Sequence, residues 1–202
     1  MEATGANVTA VLSNHFVRYC VLPWSGGLTS EADWLGYARH NFESAYGAAI
    51  TSAWQMRVSD SGRGRARIAT AVDTVLADAL RSIPGVVSIR PYLMHAFNAR
   101  RNAIPESAAW FVVHEEGRVT LALISEGQWQ SVRTRRINGD WPGCLPAILD
   151  QEAAIRGAPE NIRVFLWGEV AVPERLERYD ILDVTLPRGA PSDLRAYAMA
   201  SR

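Results

Sequence analysis

The sequence has little cysteine. Cys20 and Cys144 are the two in 202 residues, too few for a disulfide framework or a cysteine-held metal site. Cys20 falls in an apolar run and reads as a buried free thiol. No apolar run approaches the ~20 residues that span a bilayer. The opening "MEATGANVTA" has neither a basic nor a hydrophobic leader region, so a cytoplasmic protein is expected. Without a leader, the Asn7-Val8-Thr9 sequon carries no weight. Charge of one sign is also missing. Lys+Arg and Asp+Glu number 21 each, so net charge gives no reason to expect nucleic acid or an anionic surface. The chain lacks a Walker A loop, a nucleophile elbow and an HExxH pair. The four histidines, His15, His40, His95 and His114, show no ligand spacing, and no metal site or cofactor is expected.

What is present is a core. Hydrophobic residues make up 48% of the chain, enough for one large domain or two small lobes. Val8–Leu12, Phe16–Leu22, Ala53–Val58, Ile68–Val72 and Val86–Ile89 read as strands of the first half. A helix follows Thr29 or Ser30 as N-cap, with Trp34, Ala38, Phe42 and Ala45 as its apolar stripe and Gly47 as its stop. Asp73 caps a second helix with Leu76, Ala79, Leu80 and Ile83 on one face, and Pro91 opens a third over Tyr92–Arg101. In the second half Trp110–Val113, Val119–Ile124, Gln128–Ile137, Ile162–Trp167 and Ile181–Leu186 read as strands and Trp141–Arg156 as a helix.

Two stretches follow one plan. "NVTAVLSNHFVRYCVLPW" (Asn7–Trp24) and "AAWFVVHEEGRVTLALISEGQW" (Ala108–Trp129) each hold an apolar run, a polar turn and a second apolar run. Both read as hairpins leading towards a helix. This duplicated ββ-α skeleton predicts an α/β protein with mixed sheets and an actin-like (RNase H-like) fold. The expected lobes are residues 7–104 and 105–187, followed by a C-terminal tail over 188–202.

In such folds the two turns hold nucleotide phosphates. Here they read Ser13-Asn14-His15 and His114-Glu115-Glu116, without the Asp-x-Gly of a phosphate loop. Glu115 and Glu116 would repel a polyphosphate. A two-metal nuclease is excluded because Val8–Ser13 carries no carboxylate. His114 with Glu115 or Glu116 offers an acid/base pair for a small hydrolase, although a solvated turn closed by Gly117 explains the same residues. Gly62-Arg63-Gly64-Arg65 with Arg67 reads as a mobile basic turn. Arg133, Arg135 and Arg136 can clamp an acidic partner or keep an edge strand soluble. Of the seven tryptophans, one or two can anchor a partner.

The segment Leu12–Gly47, "LSNHFVRYCVLPWSGGLTSEADWLGYARHNFESAYG", resembles the opening of actin-like assembly proteins. These are the PilM-like proteins of type IV pili and the cytoplasmic domain of the type II secretion L subunit. The resemblance continues through "ARIATAVDTVLADALRS", "VVSIRPYLMHAFN" and "WFVVHEEGRVTLALISEGQWQSVRTRRI". Where the nucleotide-binding members carry a Gly-rich turn after a late strand, this chain departs from it and reads Leu166-Trp167-Gly168-Glu169. The degenerate nucleotide-binding positions are then Ser13, Asn14, His15, His114, Glu115, Glu116, Gly168 and Glu169. The resemblance implies a scaffold, not an enzyme, peripheral to the inner membrane. Its expected partner is the cytosolic N-terminal segment of a bitopic inner-membrane assembly protein, with the motor ATPase as a further candidate. An active ATPase of the same fold is the alternative.

Overall fold

The structure, a computed structural model, describes residues 7–139, 141–159, 162–168 and 175–185. It divides into two compact units, residues 1–95 and 96–202.

In the first unit β1 (Val8–Leu12) pairs in parallel with β5 (Val86–Pro91). β2 (Val17–Leu22) pairs antiparallel with β4 (Arg67–Asp73), and β4 also takes β3 (Trp54–Val58). The two-stranded sheet β1-β5 thus stands beside a three-stranded sheet in the order β2-β4-β3. This corrects the reading of Asn7–Trp24 as a hairpin. Among the described residues no ladder joins β1 to β2; each takes a partner from far along the chain. The expected parallel to the second half also shifts. α1 (Glu31–Tyr46), α2 (Ala48–Thr51) and β3 are inserted between β2 and its partner β4.

Local chemistry explains the helices. Ser30 caps α1 with a reciprocal box: its hydroxyl accepts from Asp33 N at 3.1 Å, and Asp33 accepts from Ser30 N at 2.8 Å. The bond from Ser30 N, with one from the Ser30 side chain and one from Thr29 N, holds the Asp33 carboxyl below its ordinary value. Trp34, Ala38 and Phe42 are buried as the spacing predicts, but Ala45 lies exposed in the last turn. Gly47 ends α1 at φ 85°, a conformation that favours glycine. Asp73 caps α3 (Thr74–Arg81) through Val75 N and Leu76 N. The face α3 buries is centred on Ala77, flanked by half-buried Leu76 and Leu80. Ala79 and Ile83, expected on that face, are exposed. Pro91 closes β5 instead of opening a helix, and α4 runs Tyr92–Arg100.

In the second unit β6 (Ala109–Glu115), β7 (Arg118–Ser125) and β8 (Gln128–Arg136) form an antiparallel meander. Two-residue turns join them. Gly117 closes the first at φ 69°, and Glu126 and Gly127 both take positive φ in the second, the geometry that matches strand twist. The helix α5 (Trp141–Arg156) then crosses to β9 (Arg163–Trp167), which is parallel to β6. β11 (Tyr179–Asp183) adds in parallel to β9, and β10 (Arg175–Leu176) pairs with β11. The sheet order is β10-β11-β9-β6-β7-β8. One core lies between this sheet and α5: Trp110, Val112 and Leu121 meet Leu145 and Leu149. The strand read as Ile181–Leu186 starts two residues earlier, and Leu186, like the expected tail, lies outside the described residues.

Candidate functional site

Ser13, Asn14 and His15 form a turn that closes on itself. Phe16 N donates to Ser13 O at 3.0 Å, and His15 N donates to Ser13 Oγ at 3.1 Å. A phosphate loop offers such amides to its ligand. Here both are engaged within the turn. Asn14 is fully buried, and its Oδ1 accepts from Leu93 N at 3.1 Å and from Tyr19 OH at 2.5 Å. Leu93 is the second residue of α4, so Asn14 satisfies an amide of that helix's first turn. The polar turn is therefore a bracket between β1 and α4.

The second set of positions sits at one end of the second unit's sheet. β6, β9 and β11 are parallel, so His114, Gly168 and Thr185 collect where those strands finish. The His114 ring stacks on Trp141 at a centroid distance of 4.3 Å and an interplanar angle of 11°. Burial pushes the His114 pKa below its ordinary 6.5, because the cation loses hydration there. Gly168 lies hard against it: a Cβ at Gly168 would stand 2.8 Å from His114 Cβ and 3.2 Å from His114 O. Gly168 N donates to Thr185 Oγ1 and Thr185 Oγ1 donates to Gly168 O, both at 2.9 Å. Arg100 pins the same end, with Nε donating to Val184 O at 2.6 Å and its guanidinium 5.5 Å from the Trp167 ring.

His114 and Gly168 are thus brought together, and the glycine is there for close packing. Strand alternation turns Glu115 to the opposite face from His114, and Glu116 sits exposed in the turn. His114 with Glu115 therefore does not form the paired acid and base that a hydrolase would need. Glu169 lies outside the described residues. Among the described residues no three His, Cys, Asp or Glu side chains come together as a metal site.

The feature that sequence reasoning did not place is a cavity of about 400 Å³ in the first unit. Leu12, Val72, Ala77, Val86 and Ile89 give it apolar walls. Gln55, Arg57 and Arg81 bring polar groups. Arg81 and Gln55 are organised by Asp78: Gln55 Nε2 and Arg81 Nη1 donate to Asp78 Oδ1 at 2.9 and 2.7 Å, and Arg81 Nη2 donates to Gln55 Oε1 at 2.5 Å. The walls come from both sheets of the unit and from α3. β5 pairs only with β1, so its other edge is open among the described residues.

Glu152 was also missed. It is buried on α5, where Arg135 donates to its Oε1 from Nε at 3.1 Å and from Nη2 at 2.5 Å. Its signal is in the sequence: it continues the helical spacing of Leu145 and Leu149, and a carboxylate on a buried stripe calls for a cation.

No family model matches this chain, and no curated protein sequence matches it. Solved structures do. A Bacteroides thetaiotaomicron protein with an actin-like ATPase fold and unknown function aligns at a TM-score of 0.55 and 9% identity, over 81% of this chain and 60% of that one. The cytoplasmic domain of EpsL, an inner-membrane component of the type II secretion system of Vibrio cholerae, aligns at 0.54 and 11%, over 87% and 69%. The PilM–PilN type IV pilus biogenesis complex gives 0.51 and 14%, over 80% and 62%. The chain is an α/β protein of actin-like fold. It spans about 60 to 70% of the length of these structures.

Proposed function

We propose that this chain is a non-catalytic scaffold of a type IV pilus or type II secretion-like assembly platform, at the cytoplasmic face of the inner membrane. It would hold the cytosolic segment of an inner-membrane partner. The observation that carries the reading is the state of the turns at the nucleotide positions. His15 N, Phe16 N and Gly168 N are hydrogen-bonded inside the protein, and the second turn holds Glu116 with Glu115 just before it. A polyphosphate would have to break those bonds and approach two negative charges. The likeness to an inner-membrane secretion component and to a complex of two pilus-biogenesis proteins supports the assembly role.

The cavity of the first unit is the place for the partner. Its apolar walls and few convergent polar groups suit a short extended segment, and the open edge of β5 offers main-chain hydrogen bonds beside it. Peptides copying the cytosolic segments of inner-membrane proteins encoded beside this chain test the reading. One of them should raise the melting temperature, because a ligand that binds only the folded state stabilises it. Widening the cavity wall with Val72→Ala should weaken that peptide. Micromolar binding of Mg-ATP by calorimetry would replace the scaffold with the active ATPase.

A further inference from the structure

Among the described residues the sheet of the second unit ends in a strand that is long, unpaired on one side and basic. β8 is the last strand of the six-stranded sheet among the described residues, and at nine residues it is the longest strand described. It carries Arg133, Arg135 and Arg136 and no carboxylate. The bonding of its inner side reveals the outer one. Ile137 N donates to Gly117 O at 3.1 Å, so the pairs in phase with it, Arg135 with Val119 and Arg133 with Leu121, face inward to β7. Val132, Thr134 and Arg136 then turn their backbone N–H and C=O groups to the open edge.

The arginines are unequally engaged. Arg135 is committed to Glu152. Arg133 is 4.0 Å from the same carboxylate, and its side chain is 54% exposed. Arg136 lies on the other face, directly opposite Arg118, and Arg118 lies opposite Glu115. That ladder runs acid, base, base. Like charges placed directly opposite destabilise a sheet, and an acid beyond Arg136 would complete the alternation.

We infer that the open edge of β8 is a second docking site, which takes an extended acidic segment of another protein as an added strand. The segment would carry carboxylates three residues apart, opposite Arg133 and Arg136. Strand alternation puts those two on opposite faces, as the two arginines are. Its main chain would bond to the outward groups of Val132, Thr134 and Arg136. Charge argues against a second copy of this chain, since β8 against β8 would bring the arginines of two copies together and add no carboxylate from either strand. Charge alone would keep an edge strand soluble. Arg136, however, has only another arginine directly opposite it on β7, and an incoming anion would stand on its open side.

The test uses the full chain and two ten-residue Thr/Val peptides, one with Glu at positions 4 and 7, the other with Arg there. Amide exchange followed by NMR is the readout. The Glu peptide should slow the Val132, Thr134 and Arg136 amides and leave the Arg133 and Arg135 amides, already bonded to β7, unchanged. It should bind about tenfold or more tightly than the Arg peptide, and more weakly as salt is raised. Thr134→Pro removes one outward N–H without touching the inner ladder, and should abolish protection. Arg136→Glu places an acid opposite Arg118, which suits the fold, and should remove most of the preference for the Glu peptide, since only Arg133 then still favours it. Equal binding of both peptides, or binding without protection of those three amides, overturns the proposal. So does protection that grows with protein concentration alone, which would mean a second copy. Protection by phosphatidylglycerol vesicles but not by the Glu peptide would mean a lipid surface and also overturns it.

Discussion

The two units use equivalent strands differently. β1 pairs in parallel with β5 as β6 does with β9, and β2 pairs antiparallel with β4 as β7 does with β8. In each unit a helix, α3 or α5, connects the last antiparallel strand to the parallel one. The difference is one ladder. β6 and β7 are hydrogen-bonded along seven residue pairs, from Ala109/Ile124 to Glu115/Arg118. β1 and β2 share no ladder among the described residues, and a cavity opens where the walls of the two resulting sheets meet α3. A continuous sheet makes a filled core; a divided one leaves room for a ligand. The second unit thus has an unbroken six-stranded sheet, and the first a divided one with a cavity beside it.

The largest effect expected of that difference is in a matched pair of truncations. Leu121→Ala, in the middle of the continuous sheet and fully buried, should cost in the upper part of the ~2–5 kcal/mol range for such cavities. Leu12→Ala, on β1 at the wall of an existing cavity, should fall at its lower end. Denaturant midpoints of the two variants measure this. Equal losses would mean that β1 is packed as tightly as β7, and the contrast between the units would fail.

Next comes Gly168→Ala. The new methyl would meet His114 Cβ at 2.8 Å and His114 O at 3.2 Å, atoms that move only if β6 moves. Overpacking of this kind costs about 1–3 kcal/mol. The stack on Trp141 should also be disturbed, so tryptophan fluorescence should change along with stability. An unchanged melting curve would show that β6 and β9 separate easily, contrary to a rigid second unit.

Asn14→Ala probes the corresponding bracket of the first unit. It leaves Leu93 N and Tyr19 OH without their acceptor, at about 1–3 kcal/mol for buried groups. Because Asn14 joins the turn after β1 to α4, amide exchange should speed up in β1, β5 and α4 and stay as it was in β6, β7 and β9. Acceleration throughout the chain would mean that the two units unfold as one.

The parts that were legible in the sequence are those decided within a few residues. Ser30 with Asp33, and Asp73 before Val75 and Leu76, are caps whose partners lie in the next turn. The β6–β7 and β7–β8 turns are two residues long with glycine at positive φ, so the strands beside them have nowhere else to pair. The turn Ser13-Asn14-His15 looks equally polar and short, yet its outcome depends on Leu93, which no local rule connects to Asn14. β1 was thus read as the partner of β2, because the competing partner β5 is remote in sequence. Gly168 illustrates the same limit. It was read as a remnant of a phosphate turn, while its need for glycine comes from the backbone of His114 on a neighbouring strand. The stripe of α3 failed for a simpler reason: Ile83 lies beyond the helix end, so its spacing carried no information about a helical face.

The smallest expected effect concerns pH. His114 is held neutral by burial, so its folded pKa lies below the 6.5 it has when unfolded. Between those two values the unfolded chain binds more protons than the folded one, and stability therefore rises with pH. The contribution from His114 is complete above 6.5 and is lost as pH falls through the lowered folded value. Trp141 opposes the shift weakly, since an imidazolium over an indole face is attracted to it. Glu115 is turned to the other face of β6, so it does not stand beside the ring. His114→Phe keeps the stack on Trp141 and removes the titration. Melting temperatures measured from pH 7.5 down to 5 should fall more steeply for the native chain than for His114→Phe, with the two curves parting below about 6.5. Curves that stay parallel would show that the second unit admits water around His114, and that its end of the sheet is as open as the cavity of the first.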